Sequence, residues 1–346
     1  MKIFLFFFAD LKSCCIFAVP VPAKPLNNAQ MCGSFYFITV LIQKTMPNRI
    51  SYNKPYKSAK DLAQLLQTRG LIINDLKRAE NYIRHIGYYR LSAYMFPHLE
   101  KPKRKHIFKG NTSFQNILNL YKFDKKLRLL IFNEIEKIEV AVRSAIVNIA
   151  CEQFNDPYWI TNSKYFIHPE KFAKSISLID KELEHSKEDF IIHFKNKYSN
   201  QYPPAWILAE ILPLGTMMNI YYNLKKIPVK KVIAKEFGLQ VKPFESWMSI
   251  VTLTRNACCH HSRVWNKQNT MLAMEPIRIN KPWIKLPTDR LRIYFDICII
   301  KWFLDCISPN NTLKNKICNL LAEYPCIDIS AMGFPADWLT EDLWKG

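Results

Sequence analysis

The amino-acid sequence predicts an all-α protein. Glycine is scarce, only 8 of 346 residues, in a chain rich in Leu, Ile, Lys and Glu. Apolar residues recur near a 3.6-residue period over long windows, and no strand-like alternation is sustained. The helical windows are also bounded by capping and breaking residues where helices need them. Hydrophobic residues at 49% and aromatics at 13% suffice for a packed core.

Taken in order, Ser58 is placed to cap a helix carrying Leu62, Leu65 and Leu66 and ending at Gly70. Asn74 is placed to cap a second, with Leu76, Ala79, Tyr82, Ile83 and Ile86, ending at Gly87. The aromatic run over 88–97 reads as another helix whose rings either fill the core or stack on nucleobases. Lys101, Lys103, Arg104, Lys105 and Lys109 then follow without an acid after position 100, as a solvated loop or a phosphate contact. A long helix is expected over 113–152, where Ile117, Leu120, Leu127, Ile131, Ile138, Val142 and Ile149 keep the helical period. On it, Glu139 and Arg143 are either a surface pair or supports facing a cleft.

Residues 157–200 read as loop and helix. Residues 205–221 form a strongly apolar helix broken near Pro213 and Gly215, where a kink would let another backbone come close. Pro243 opens a helix with Phe244, Trp247, Ile250, Val251 and Leu253, and two more follow over 291–307 and 313–322. Residues 1–45 differ in character. Their apolar runs, 3–9 and 35–42, fall short of the roughly 20 residues that span a bilayer. Met46 is the expected start, with 1–45 an extension of no structural role. The expected division is therefore an N-terminal helical region over 46–110, a main helical domain over 111–330 and a C-terminal tail over 331–346.

Basic residues outnumber acidic ones 49 to 29, a net charge of +20. That excess favours polyanionic partners through counterion release, with nucleic acid foremost. The ten cysteines show no framework spacing, and two adjacent pairs, Cys14-Cys15 and Cys258-Cys259, suit free thiols. A cytoplasmic protein with no membrane partner and no cofactor is expected.

Chemistry concentrates in residues 254–266, which hold Arg255, Asn256, Cys258, Cys259, His260, His261, Arg263, Trp265 and Asn266. An arginine binds two phosphate oxygens through its planar fork and keeps its charge. A histidine moves protons near neutral pH. Together they suit RNA transesterification, in which the substrate's own 2′-hydroxyl attacks phosphorus and no metal or protein nucleophile is needed. On a straight helix Arg255 and His260 lie about 140° and about 7.5 Å apart, so convergence is expected only if the turn relaxes at the helix end. Cys258 and Cys259 read as packing residues, with zinc ligation through Cys258, Cys259 and His261 as the lesser alternative.

Arg255 to His260 resembles the Arg-polar-x-x-x-His signature of the HEPN ribonuclease superfamily. Continued through His261, Arg263, Trp265 and Asn266, it resembles the Abi family of abortive-infection proteins (AbiD/AbiF-like). Pro55-Tyr56-Lys57-Ser58, Gly87 to Tyr94, Tyr121 to Arg128, Ile138 to Arg143 and Trp206 with Glu210 and Gly215 look like the family's landmarks in order, over about residues 52 to 300. The resemblance implies a HEPN-type helical bundle with an additional N-terminal helical region. It also implies catalytic roles for Arg255, Asn256 and His260, and supporting roles for His261, Arg263, Trp265 and Asn266. Cys259 stands where a small residue such as Ala is usual. The expected function is a phage-defence toxin, an endoribonuclease working as a homodimer on an RNA substrate and restrained by an antitoxin protein or a noncoding RNA. Lys101, Lys103, Arg104 and Lys105 are the expected RNA contacts, and Glu139 and Arg143 further supports. The other reading is a non-catalytic module that sequesters a small RNA.

Overall fold

Twelve α-helices make up the computed structural model, which describes residues 51–276, 279 and 281–345. The expectation about residues 1–45 lies outside the described residues. No extended strand occurs among the described residues, only three isolated bridges.

The first helices follow their caps. α1, Ala59–Thr68, starts at a full capping box in which the Ser58 side chain accepts from Asp61 N and the Asp61 side chain accepts from Ser58 N. α2, Leu76–Ile86, is capped by Asp75, which accepts from Arg78 N at 2.9 Å. The expected cap was Asn74; both residue types cap well, and the extended backbone falls at Asp75. Gly87, at φ +91°, then turns the chain straight into α3, Tyr88–Met95. Beyond it, the basic stretch folds back on an antiparallel bridge between Leu99 and Phe108.

α4, Phe114–Phe154, is the spine. Ser113 caps it, and its 41 residues extend about 60 Å. Its buried positions Ile117, Phe123, Leu127, Ile131, Ile135, Ile138, Val142 and Ile146 hold a continuous apolar stripe. α5, Pro169–His185, and α6, Asp189–Lys197, follow. The apolar run after Pro204 divides, as expected, into α7, Ala205–Ile211, and α8, Leu214–Tyr222, because Pro213 cannot continue a helix. The anticipated close backbone approach at Gly215 does not occur: a side chain there would meet nothing within 4 Å. Gly215 merely sits in the first turn of α8.

α9, Ile227–Glu236, leads to α10, Val241–Cys259, where Pro243 occupies the first turn, which has amides to spare. α11, Ile293–Ile307, is buried almost throughout, and α12, Leu313–Glu323, completes the set. The spine α4 packs against α3, α7, α8, α9, α10, α11 and α12. The core is densest around Trp247, which stacks on Trp283 at 4.8 Å and meets Trp302 edge-on at 5.7 Å. Burying each such side chain contributes roughly 1.5–3 kcal/mol or more. The last residues pack into this body: Trp344 is fully buried and donates to Tyr294 OH at 3.2 Å, and Glu341 accepts from Lys285 N and Leu286 N. The compact unit starts at Lys57 and runs to the C-terminus.

Candidate active site

The motif-bearing helix α10 ends at Cys259 in a left-handed terminus. Ser262 N donates to Ala257 O at 2.8 Å and His261 N to Cys258 O at 3.1 Å. These are the paired bonds of a Schellman motif, in which the residue after the cap takes a positive φ. Glycine is the usual occupant, but here it is His261, at φ +55°. His260, the cap residue, keeps φ −82° and ψ 11° and still donates its N–H to Asn256 O at 2.9 Å. The turn therefore relaxes after His260 and not before it. Arg255 and His260 keep close to their helical offset of about 140°, so a substrate that meets both lies across the helix end. Asn256, one turn before His260, shares its exposed face.

Arg255 is held on its own flank by the spine. Glu139 pairs through Oε1 with Arg143 Nη2 at 2.9 Å and through Oε2 with Arg255 Nε at 3.5 Å. Arg143 also donates to Leu212 O at 3.3 Å, the carbonyl left open at the break between α7 and α8. The Arg255 guanidinium lies 6.0 Å from the Phe132 ring centroid. Its Nε is buried with no hydrogen bond of good geometry, so the Glu139 contact is an ion pair by distance alone. The side chain remains 30% exposed, and no protein group binds its terminal nitrogens among the described residues. It is a cation fixed at its neck with its fork open.

A buried carboxylate fixes the loop that follows. Asp124, fully buried, accepts from Val264 N at 3.1 Å and Trp265 N at 2.7 Å through Oδ1. Through Oδ2 it accepts from Tyr94 OH at 2.6 Å and pairs with Arg128, itself 5% exposed. α3 braces the same loop from outside: Arg90 Nη1 donates to His261 O at 2.6 Å and Arg263 Nη1 donates to Ala93 O at 2.5 Å. Burial lowers the pKa of Arg263. Trp265 is buried and reaches Asp328 O at 3.3 Å, and Asn266, at φ +47°, accepts from Arg292 Nη1 at 2.9 Å. Arg263, Trp265 and Asn266 thus anchor the loop and make no contact with Arg255.

On the opposite side of α10, Thr254 donates to Asp296 at 2.8 Å, and Asn269 donates to both carboxylate oxygens at 2.9 Å. Burial pushes Asp296 up to about 7. Cys258 is 5% exposed, and burial pushes its thiol up to about 12, as befits packing. It faces the interior while His260 and His261 are exposed, so these groups do not converge as zinc ligands. Among the described residues no cluster of three or more His, Cys, Asp or Glu is arranged to hold a metal ion, and no helix is long and apolar enough to cross a membrane.

The structure brings Glu139, Arg143 and Arg255 together, and Asn256 with His260. It does not bring Lys101, Lys103, Arg104 and Lys105 into contact with them; α3 connects the two regions. Residues outside the expected set are Arg90, Asp124, Arg128 and Arg292, which hold the motif loop. Arg90, Asp124 and Arg128 stood in the landmark segments, but nothing local tied them to the motif loop, since an Asp one turn from an Arg on a helix looks like any surface pair. A family model described as Abi-like protein matches residues 81–266, a span that includes Arg90, Asp124, Glu139 and the whole motif. No curated protein and no solved structure matches the chain.

Proposed function

The chain belongs to the Abi-like protein family, whose name points to abortive infection, and on that premise we propose that it is a phage-defence toxin acting as a metal-independent endoribonuclease. The observation that carries this reading is the open guanidinium of Arg255, held by Glu139 beside the exposed Asn256 and His260. Arg255 binds non-bridging phosphate oxygens and offsets the charge that grows on phosphorus. His260 moves a proton, either from the attacking 2′-hydroxyl or to the departing 5′-oxygen. Asn256, between them around the helix, donates to the phosphate. The products are a 2′,3′-cyclic phosphate and a 5′-hydroxyl.

Base and acid are both needed, and in one chain Arg255 and His260 point to different sides of α10. A homodimer that sets two motifs face to face supplies both roles, so each chain contributes half of a site. An antitoxin protein or a noncoding RNA is the restraining partner this reading implies.

The test is incubation of the purified protein with total RNA in EDTA. Cleavage by the wild type and its loss in Arg255→Ala and His260→Ala are expected; full cleavage by either variant rejects the assignment. Binding of RNA without any cleavage leaves the sequestering module as the correct reading. Mixing the two inactive variants tests the composite site: a partial return of cleavage is expected, and none places both residues of a working site in one chain.

A further inference from the structure

Lys101, Lys103, Arg104, Lys105 and Lys109 crowd one small hairpin after α3, and among the described residues no ion pair joins any of them to a carboxylate. They repel one another: burial and then the charges of Lys109 and Lys101 lower the pKa of Lys103, and burial, Lys109 and Lys103 lower that of His98. A cluster held in this condition is relieved by an anion.

Beside it lie exposed rings. Tyr89 is 67% exposed and Phe96 53% exposed. Met95 and Phe96 keep helical backbone angles, so Tyr89 and Phe96, seven residues apart, stand on one face of the α3 helix about 10 Å from each other. Leu91, Tyr94 and Met95 turn the other face into the core. The Lys103 ammonium sits 4.2 Å from the Phe96 ring centroid, which ties the cationic hairpin to the aromatic face. Arg90, next to Tyr89, reaches the carbonyl of His261. The aromatic face therefore begins within one arginine side chain of the motif loop and ends at the cationic hairpin.

We propose that the outer face of α3 and this hairpin form a binding track for an unpaired RNA strand, with bases stacking on Tyr89 and Phe96 and phosphates on the lysines and Arg104. About 10 Å is close to three stacked-base spacings, so two or three nucleotides occupy the track between the rings. A duplex cannot use the rings, because its bases are already stacked on each other, and meets only the cationic hairpin through its phosphates. The track extends the reading given above, resting on it only for where the cut phosphate lies, and it names the substrate class as RNA with an exposed single-stranded segment.

The test is fluorescence anisotropy with the full-length protein carrying His260→Ala, in EDTA, using a labelled unstructured 12-nucleotide RNA (about one turn of duplex length when paired) and the same strand annealed to its complement. The single strand is expected to bind more tightly. Tyr89→Ala and Phe96→Ala are each expected to weaken single-strand binding about tenfold and leave duplex binding unchanged, while Tyr89→Phe restores wild-type affinity. Lys101→Ala and Lys105→Ala are expected to weaken both and to flatten the salt dependence. Melting temperatures are measured alongside, and Tyr89→Phe, which keeps the ring, separates loss of stacking from loss of stability. Equal affinity for strand and duplex, or wild-type affinity in both ring variants, overturns the track. Neither result touches the cleavage assay with Arg255→Ala, so the track and the nuclease reading fail separately.

Discussion

Replacing Asp124 by Asn tests how the motif loop is held. The amide oxygen can still accept from Val264 N and Trp265 N, so the loop keeps its two backbone bonds. What disappears is the negative charge opposite Arg128, which is 5% exposed and has no other acidic partner among the described ion pairs. Leaving a buried cation uncompensated costs about 3–5 kcal/mol. The reciprocal change, Arg128→Met, leaves Asp124 with three neutral donors, two amides and the Tyr94 hydroxyl. Its charge is then partly satisfied, and the expected cost is smaller, about 1–3 kcal/mol. The double variant Asp124→Asn with Arg128→Met removes both charges and recovers most of the loss. Urea unfolding of the four proteins at constant m measures the cycle. If Asp124→Asn costs less than Arg128→Met, or the double variant equals the sum of the singles, the buried pair does not hold the loop as argued.

Four further outcomes follow from the same geometry. His261→Gly relieves a left-handed backbone costing about 1–2 kcal/mol and loses part of that gain to the freer unfolded chain, so urea unfolding should show no loss and up to about 1 kcal/mol of gain; a clear loss would give the imidazole a role in holding the fold. Glu139→Gln releases Arg255 without emptying the site, and RNA cleavage is expected to fall about tenfold, a change of about 1.4 kcal/mol, with little change in melting; unchanged cleavage removes Glu139 from the site. Asp296, pushed up to about 7 when folded from an ordinary value near 3.8, binds its proton more tightly in the native state. Its contribution to stability is present at acid pH and lost as pH rises through about 4 to 7, with a slope of at most about 1.4 kcal/mol per pH unit. Asp296→Asn should flatten that part of the stability profile, and a profile identical to wild type contradicts the assignment. Finally, a maleimide at pH 8 should label the exposed Cys326 in the folded protein and reach Cys258 only on unfolding, as peptide mass mapping would reveal.

Local rules made much of the fold legible. Ser58 announced its helix because a side-chain oxygen satisfies amides that no helical carbonyl reaches, and Pro213 announced the break because it has no amide to give. The all-α class followed from periodicity, as did the length of α4. The site was legible only as far as chemistry is local. Arg255, Asn256 and His260 stood out by residue type, and Glu139 and Arg143 by their spacing on α4. What sequence alone did not disclose is the set of long-range contacts that place them: Asp124 is 140 positions from Val264, and Arg90 is 171 from His261. Nor did spacing reveal where α10 would unwind. An imidazole at a left-handed position gives no warning, since glycine is the residue that marks such an end. That detail matters most for function. With the helical phase kept through His260, Arg255 faces the spine and His260 faces out, and Asn256 lies between them at about 100° from the arginine. A phosphate gripped by Arg255 therefore meets the imidazole of its own chain only at the edge of the helix. A second motif approaching from outside would meet it directly, and that step is what the proposed pairing of two chains supplies.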